Sequence, residues 1–278
     1  MRKVSNSEKE TIEQYFETSI YTSAHMGWMD CWEINGGLGT VWLDDEAGKN
    51  NLIAFQKINP ETWWLHSFYA SHTPTDYPLV QKLRMLLPMG LQSVYTISSQ
   101  NWYTKFLQEN GFRIADEIIQ METKSIRISS KSKTAEIQPL SPDAAQAICA
   151  ICEQAFPPLW RLETMEMQKA LEISPFKWAI LFNGEITGYI LADIADGNCH
   201  IDRLAISPDH QNEGLGSQLL NLLISECRKQ GIQSFSVNTN RKNQDAIDFY
   251  RKYNFHIIDE NFPVLHRYVH ANGEMTLQ

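Results

Sequence analysis

The sequence predicts a chain of the α/β (α+β) class, built as two units in which strands and helices alternate in a similar order. Three observations predict this. The run His-Ile-Asp-Arg-Leu-Ala-Ile-Ser-Pro-Asp-His-Gln-Asn-Glu-Gly-Leu-Gly-Ser at 200–217 reads as a strand, a turn and a glycine-containing loop that opens a long helix. Strand and helix periods alternate on both sides of a Ser- and Lys-rich stretch at 124–135. Laying Phe112 on Phe255 also places Phe106 on Phe249, Tyr103 on Ala246 and Gly111 on Asn254, the mark of an internal repeat.

In the first half, residues 5–21 read as a helix with Ile12, Tyr15, Phe16 and Ile20 on one side. Strands follow at 39–43, 52–57 and 62–70, separated by the Asp-Asp-Glu-Ala-Gly run at 44–48 and by Asn59 and Pro60. A helix at 79–89, a strand at 93–97, a helix at 100–109 closed by Asn110 and Gly111, and a strand at 114–123 complete it. The second half has a strand near Ile137, helices at 143–154 and 163–173, and strands at 176–182 and 186–194 joined across the hairpin signal Asn183 and Gly184. After the strand at 199–206, the helix entered from the loop runs to Lys229, with Leu215, Leu219, Leu223 and Cys227 four apart, and Gly231 ends it. A strand at 234–238, a helix at 244–253 and strands near Phe255 and at 264–270 close the chain.

Composition narrows the function. A chain of 278 residues with 43% hydrophobic content can bury substantial cores. It has no apolar run near the roughly 20 residues of a membrane span. Residues 1–14 are polar and lack the apolar core of a signal peptide, so a cytoplasmic protein without a membrane partner is expected. Five cysteines, an odd and scattered set, argue against a disulfide framework. Cys149 and Cys152 have the spacing of a metal or redox pair, but no second Cys/His pair stands at zinc spacing, so they read as core residues and no metal site is expected. The net charge of −9, acidic in both halves, disfavours nucleic acid and favours a cationic partner. The 124–135 stretch, with four basic residues and no acidic one, reads as a linker.

The loop at 211–217 suits an anion. The first turn of a helix leaves backbone N–H groups unpaired and its dipole favours negative charge, while Gly214 and Gly216, lacking a Cβ, let a phosphate come close. The spacing excludes a P-loop, which ends Gly-Lys-Ser/Thr, and a dinucleotide fingerprint, which needs a glycine where Leu219 stands. An ordinary βα turn stays open as an alternative.

Gln211, Gly214 and Gly216 in a Gln-x-x-Gly-x-Gly pattern, the preceding Leu-Ala-Ile-Ser-Pro at 204–208, and Asn243, Ala246, Phe249, Tyr250 and Phe255 downstream together resemble the GNAT acetyltransferase superfamily over residues 136–269. The resemblance implies, for each unit, a mixed, mostly antiparallel central sheet flanked by helices, with a splayed strand pair at the cofactor slot. It implies acetyl-CoA as acyl donor. The backbone of Gln211, Asn212, Glu213, Gly214, Leu215, Gly216 and Ser217 would hold the pyrophosphate, and that of Leu204, Ala205 and Ile206 would pair with the pantetheine arm like an added strand. The slot would open where that strand splays from 234–238. Asn243 would lie against the cofactor and is also an apt N-cap. Glu213 departs from a phosphate loop and must point outward to be harmless. In the first half Leu107 falls where Tyr250 stands, and His-Thr-Pro-Thr-Asp-Tyr-Pro at 72–78 has no glycine. The expected division is a diverged, noncatalytic unit at 1–123, a linker at 124–135 and a catalytic unit at 136–278.

Acyl transfer to an amine needs a positioned thioester, a neutral amine, oxyanion stabilisation and a proton for the departing thiolate. By the resemblance Tyr250 is the general acid, although Ala246, Phe249, Tyr250 and Tyr253 also form a helical stripe that a core would explain. His200 and Asp202, two apart on one strand, share a face of a regular pleat, and either can take the amine proton. Pairing of Asp202 with Arg203 or Arg241 and an ordinary strand role for His200 stay open, with Asp193 as a third candidate. A backbone N–H near Leu204 would meet the oxyanion. The expected activity is acetyl-CoA-dependent N-acetylation of a small-molecule or peptide amine. A noncatalytic acyl-CoA sensor and an aminoacyl transferase using charged tRNA are the alternatives, and the acceptor, the acyl length and the oligomeric state have no signature.

Overall fold

The computed structural model describes residues 1–5, 7–24, 39–46, 49–128 and 135–270. Cys31, residues 47–48 of the first turn, residues 129–134 of the expected linker and the side chain of Phe16 lie outside the described residues. Two compact units form: Met1–Glu117 with Phe262–Gln278, and Ile118–Asn261.

The first unit begins with β1 (Arg2–Lys3), α1 (Lys9–Thr18) and β2 (Tyr21–Ala24). The antiparallel run β3 (Gly39–Glu46), β4 (Lys49–Lys57) and β5 (Thr62–Ala70) follows, then α2 (Leu79–Arg84), β6 (Ser93–Ile97) and α3 (Asn101–Glu109). β5 is buried at every position after Thr62, so it reads as a near-continuous apolar run rather than an alternating one. Its core gathers Phe55, Trp63, Leu65, Phe68, Tyr103, Phe106 and Leu107. The predicted helix at 79–89 stops at Arg84, and a 3₁₀ turn at Leu87–Met89 ends at Gly90 with φ 96°. The predicted helix at 5–21 stops at Thr18, and the residues after Ile20 form a strand instead.

The second unit opens with residues 118–123 of β7 (Arg113–Thr123), followed by β8 (Glu136–Pro139), α4 (Ala145–Ala155) and α5 (Thr164–Ile173). Then come β9 (Phe176–Phe182), β10 (Glu185–Ala195), β11 (Asn198–Ile206), α6 (Leu215–Lys229), β12 (Ser234–Asn240), α7 (Gln244–Lys252) and the start of β13 (His256–Tyr268). The sheet runs β7-β12-β11-β10-β9-β8. Asn183 at φ 52° and Gly184 at φ 83° make the predicted hairpin turn. Leu219, Leu220, Leu223, Ile224 and Cys227 of α6 pack on Ile190, Ile201, Phe235 and Val237.

The units do not follow the linear division at 124–135. Residues 118–123 of β7 pair antiparallel with β12, from Ile118↔Asn240 to Thr123↔Phe235. Residues 264–268 of β13 pair with β6, from Val264↔Ile97 to Tyr268↔Ser93. Each half therefore sends its closing strand into the sheet of the other unit, and β13 is one continuous strand where two were expected.

Within each unit the strand pairing is mixed and mostly antiparallel, with one parallel pair among the described residues, and the two parallel pairs match in detail. In the second unit β11 and β12 are in register from Asn198↔Ser234 to Ile201↔Val237 and then part. In the first, β5 and β6 are in register from Thr62↔Ser93 to Trp64↔Tyr95 and then part. A bulge follows in each: Leu191↔Arg203 gives way to Ala192↔Ile201, leaving Asp202 out of register, and Ala54↔Ser67 gives way to Phe55↔Leu65, leaving His66 out. Beyond the bulge the units differ. The edge of β5 is taken by β2, with Tyr21↔Ala70, Thr22↔Tyr69, Ser23↔Phe68 and Ala24↔Ser67. The corresponding edge of β11, at 204–206, pairs with no strand among the described residues.

Candidate active site

The loop after β11 is held at both ends. Ser207 N–H donates to Thr187 O at 2.7 Å, Ser207 Oγ donates to Gln154 Oε1 at 3.1 Å, and Gln211 Nε2 donates to Ile206 O at 3.1 Å. Asn212 at φ 63° and Gly214 at φ 86° turn the chain through left-handed conformations, and Gly214 stands at the N-cap of α6. Gln218 N–H donates to Gly214 O at 3.1 Å, so the preceding Leu215, Gly216 and Ser217 N–H groups have no intrahelical acceptor. A Cβ on Gly216 would meet Ile206 and the Phe249 ring at an ordinary 3.7 Å, so the protein itself does not demand glycine there. Glu213 does not point fully outward: it is half-buried, with its Oε2 enclosed.

Gly188, to which the sequence reading assigned nothing, sets how closely the strands approach. It pairs with Ile206, and a Cβ there would stand 2.7 Å from Ala205 O. Leu204, Ala205 and Ile206 pair on one side with Ile190, Tyr189 and Gly188, which leaves the parted side of β11 as a backbone edge that runs into the loop before α6.

Asp202 and His200 lie at the mouth of that parting, and the bulge at Asp202 interrupts the regular pleat that their spacing assumed. His200 is half-buried opposite Asp193 in the register, and its Nδ1 lies 2.8 Å from Ser236 Oγ. Burial holds the His200 imidazole below its ordinary pKa, with Asp193 opposing. Asp202 is exposed to solvent, with the charges of Asp193 and Arg203 acting on its carboxyl. Desolvation first, then the charge of Asp193, pushes its carboxyl up to about 7, against the pull of Arg203. No hydrogen bond or ion pair reaches the Asp202 carboxylate among the described residues. Arg203 turns instead to Trp160 O at 2.8 Å and to the Phe156 ring at 4.9 Å, and Arg241 donates to Asn261 Oδ1 at 3.1 Å.

Tyr250 lies on α7, between Phe249 at 5.2 Å and Phe255 at 5.3 Å, and is 5% exposed. Burial pushes its phenol above the ordinary value, so the hydroxyl keeps its proton at neutral pH, and it makes no hydrogen bond among the described residues. Asn243 caps α7, its Oδ1 accepting from Ala246 N–H at 3.2 Å. Tyr253 Oη donates to Ser217 O at 3.3 Å, which ties α7 to the first turn of α6. The loop, Asn243 and the Tyr250 helix are thus brought together, as are His200, Asp202 and Asp193; no hydrogen bond joins Tyr250 to that acidic group among the described residues. Cys149 and Cys152 are buried, with Cys149 Sγ donating to Leu162 O and Leu162 N–H donating to Cys152 Sγ, both at 3.5 Å.

Residues 145–255 match the model of the acetyltransferase (GNAT) family. The alanine N-acetyltransferase of ribosomal protein bS18 from Escherichia coli is 29% identical over 73 residues, 26% of this chain and 49% of that protein; the chain thus spans about half the length of the curated relatives it matches. A probable N-acyltransferase from Enterococcus faecalis shares the fold at TM-score 0.69 and 15% identity, over 96% of this chain and 72% of that one. A tandem GNAT protein from the clavulanic acid biosynthesis pathway does so at TM-score 0.61 and 8% identity, over 97% and 98% of the two chains, and matches both units.

Proposed function

We propose, from the premise that this chain belongs to the GNAT acetyltransferase superfamily, that its second unit transfers an acetyl group from acetyl-CoA to an amine of a small molecule or peptide. The observation that carries the reading is the joining of two features in one place: a helix start turned through Gly214, and an adjacent strand edge at 204–206 that no strand among the described residues fills. The first suits a pyrophosphate and the second suits an amide-bearing arm that adds to the sheet. No comparable pair occurs among the described residues of the first unit. There β2 occupies the edge and the following segment at 71–78 lacks glycine, which supports a structural role for that half.

In this reading the residues divide the work as follows. The amine arrives as a cation, drawn by the acidic Asp193 and Asp202. Asp202, with its carboxyl near neutrality, takes one proton, and the freed nitrogen attacks the thioester carbonyl carbon. A backbone N–H near Leu204 faces the oxyanion. As the carbon–sulfur bond breaks, Tyr250 gives its proton to the sulfur; the second amine proton returns through water to the Tyr250 oxygen, and Asp202 gives up the first to solvent, so both groups are restored. Asp202 is preferred to His200 as base because burial disfavours protonation of the ring.

Release of free thiol from acetyl-CoA, followed across a panel of diamines, aminoglycosides and peptide N-termini, tests the proposal. Turnover with one amine class at a rate above buffer hydrolysis is expected. Tight acetyl-CoA binding with no turnover across the panel would favour the acyl-CoA sensor.

A further inference from the structure

We infer that Ser234, Asn198 and Ser236 form a one-way hydrogen-bond chain that fixes His200 with its proton on Nε2, making His200 a hydrogen-bond donor at the slot and leaving proton abstraction to Asp202. The links set the direction. Ser234 Oγ donates to Asn198 Oδ1 at 2.9 Å, and an amide oxygen only accepts. The same amide then turns Nδ2 to Ser236 Oγ at 2.7 Å, and an amide nitrogen only donates. Ser236 Oγ, an acceptor in that bond, keeps its own hydrogen, and the remaining partner within reach among the described residues is His200 Nδ1 at 2.8 Å. With the Asn198 amide in this orientation, Nδ1 holds the lone pair and the ring proton sits on Nε2.

The chain's location gives it a role. Asn198↔Ser234 and His200↔Ser236 are rungs of the parallel pair immediately before β11 and β12 part, so the relay ends at the mouth of the slot. Ser236 is 2% exposed, too enclosed for water to replace its hydroxyl. Nε2 of His200 makes no hydrogen bond within the described residues, and in this tautomer it can offer a proton to a reactant but cannot take one. Burial keeps the ring neutral, Asp193 being the charged group opposed to that effect. Ser236 and Asn198 are thus positioning residues that act through His200.

The inference rests on the acyl-transfer reading of this cleft, but its test needs no turnover, so the two can fail separately. The full chain, labelled with ¹⁵N-histidine and held at about pH 8, above the ordinary imidazole pKa, gives the protonation of each ring nitrogen. The His200 signals are those lost in His200→Gln. An unprotonated Nδ1 and a protonated Nε2 are expected. In Asn198→Asp the new carboxylate accepts from both serines, so Ser236 turns its hydrogen away from the ring and the tautomer should reverse. Ser236→Ala should give a mixture, and Ser236→Thr should restore the original state. A wild-type ring protonated on Nδ1 overturns the inference, as does a tautomer that Asn198→Asp leaves unmoved. The wild-type spectrum decides alone if a variant does not fold.

Discussion

His66 and Asp202 stand at the same place in the two units: each is the residue left out of register by the bulge that follows a three- or four-rung parallel pair. The backbone is shared and the chemistry is not. His66 is 2% exposed, and burial pushes its imidazole down to about 4. Asp202 faces an open edge with its carboxyl raised to about 7. A bulge re-aims a side chain, and only the second unit uses it to present an ionisable group to an opening.

Asp202 as base predicts a rate at low amine concentration that rises with pH through about 7, the value at which its carboxyl loses its proton. Asp202→Asn should remove that limb and slow acylation by roughly 10²- to 10⁴-fold at neutral pH. His200→Gln should lower the rate while leaving the limb in place. A pH–rate profile of the three proteins checks this.

The same carboxyl predicts a stability change of opposite sense. Its folded pKa lies above the unfolded value near 4, so between about pH 4 and pH 7 the folded state binds more protons and is progressively destabilised as pH rises. Asp202→Asn should therefore raise the melting temperature at pH 8 by more than at pH 5. Thermal melts at the two pH values measure the difference, and equal shifts would mean that the carboxyl is not desolvated.

Tyr250→Phe deletes only a hydroxyl that makes no hydrogen bond among the described residues, so the ring contacts with Phe249 and Phe255 survive. Unchanged stability and acetyl-CoA affinity are expected, with turnover down roughly 10²- to 10⁴-fold if protonation of the thiolate limits the rate. Single-turnover kinetics separates this from slow product release.

Local signals in the sequence were legible and non-local ones were not. The hairpin at Asn183 and Gly184, the loop ending at Gly214 and the Asn243 cap each depend on a few neighbouring residues, and each was read directly. β2 has no counterpart in the sequence reading, only its first residue, Tyr21, falling in the helix predicted at 5–21, because its strand character comes from β5, whose paired residues lie more than forty positions away. The exchange of β7 and β13 leaves no local mark for the same reason. The bulge at Asp202 exists only in the register with β10, and Ser236, one serine among many, acquires meaning only when β12 sets it beside His200.

A break in β2 should affect the first unit alone. Ser23→Pro, opposite Phe68, removes a backbone donor and constrains φ within a short strand, so amides at 67–70 should lose hydrogen-exchange protection. The acetyl-CoA affinity of the chain should not change. Weakened binding would mean that the first unit's edge contributes to the cofactor site.

The central claim is that one slot, in the second unit, takes acetyl-CoA, and calorimetric titration of the full chain tests it most directly. The account predicts one acetyl-CoA per chain and loss of the binding heat in Gly214→Asp, where a negative side chain enters the anion cradle at the start of α6. Two sites per chain, or undiminished binding by Gly214→Asp, would contradict it.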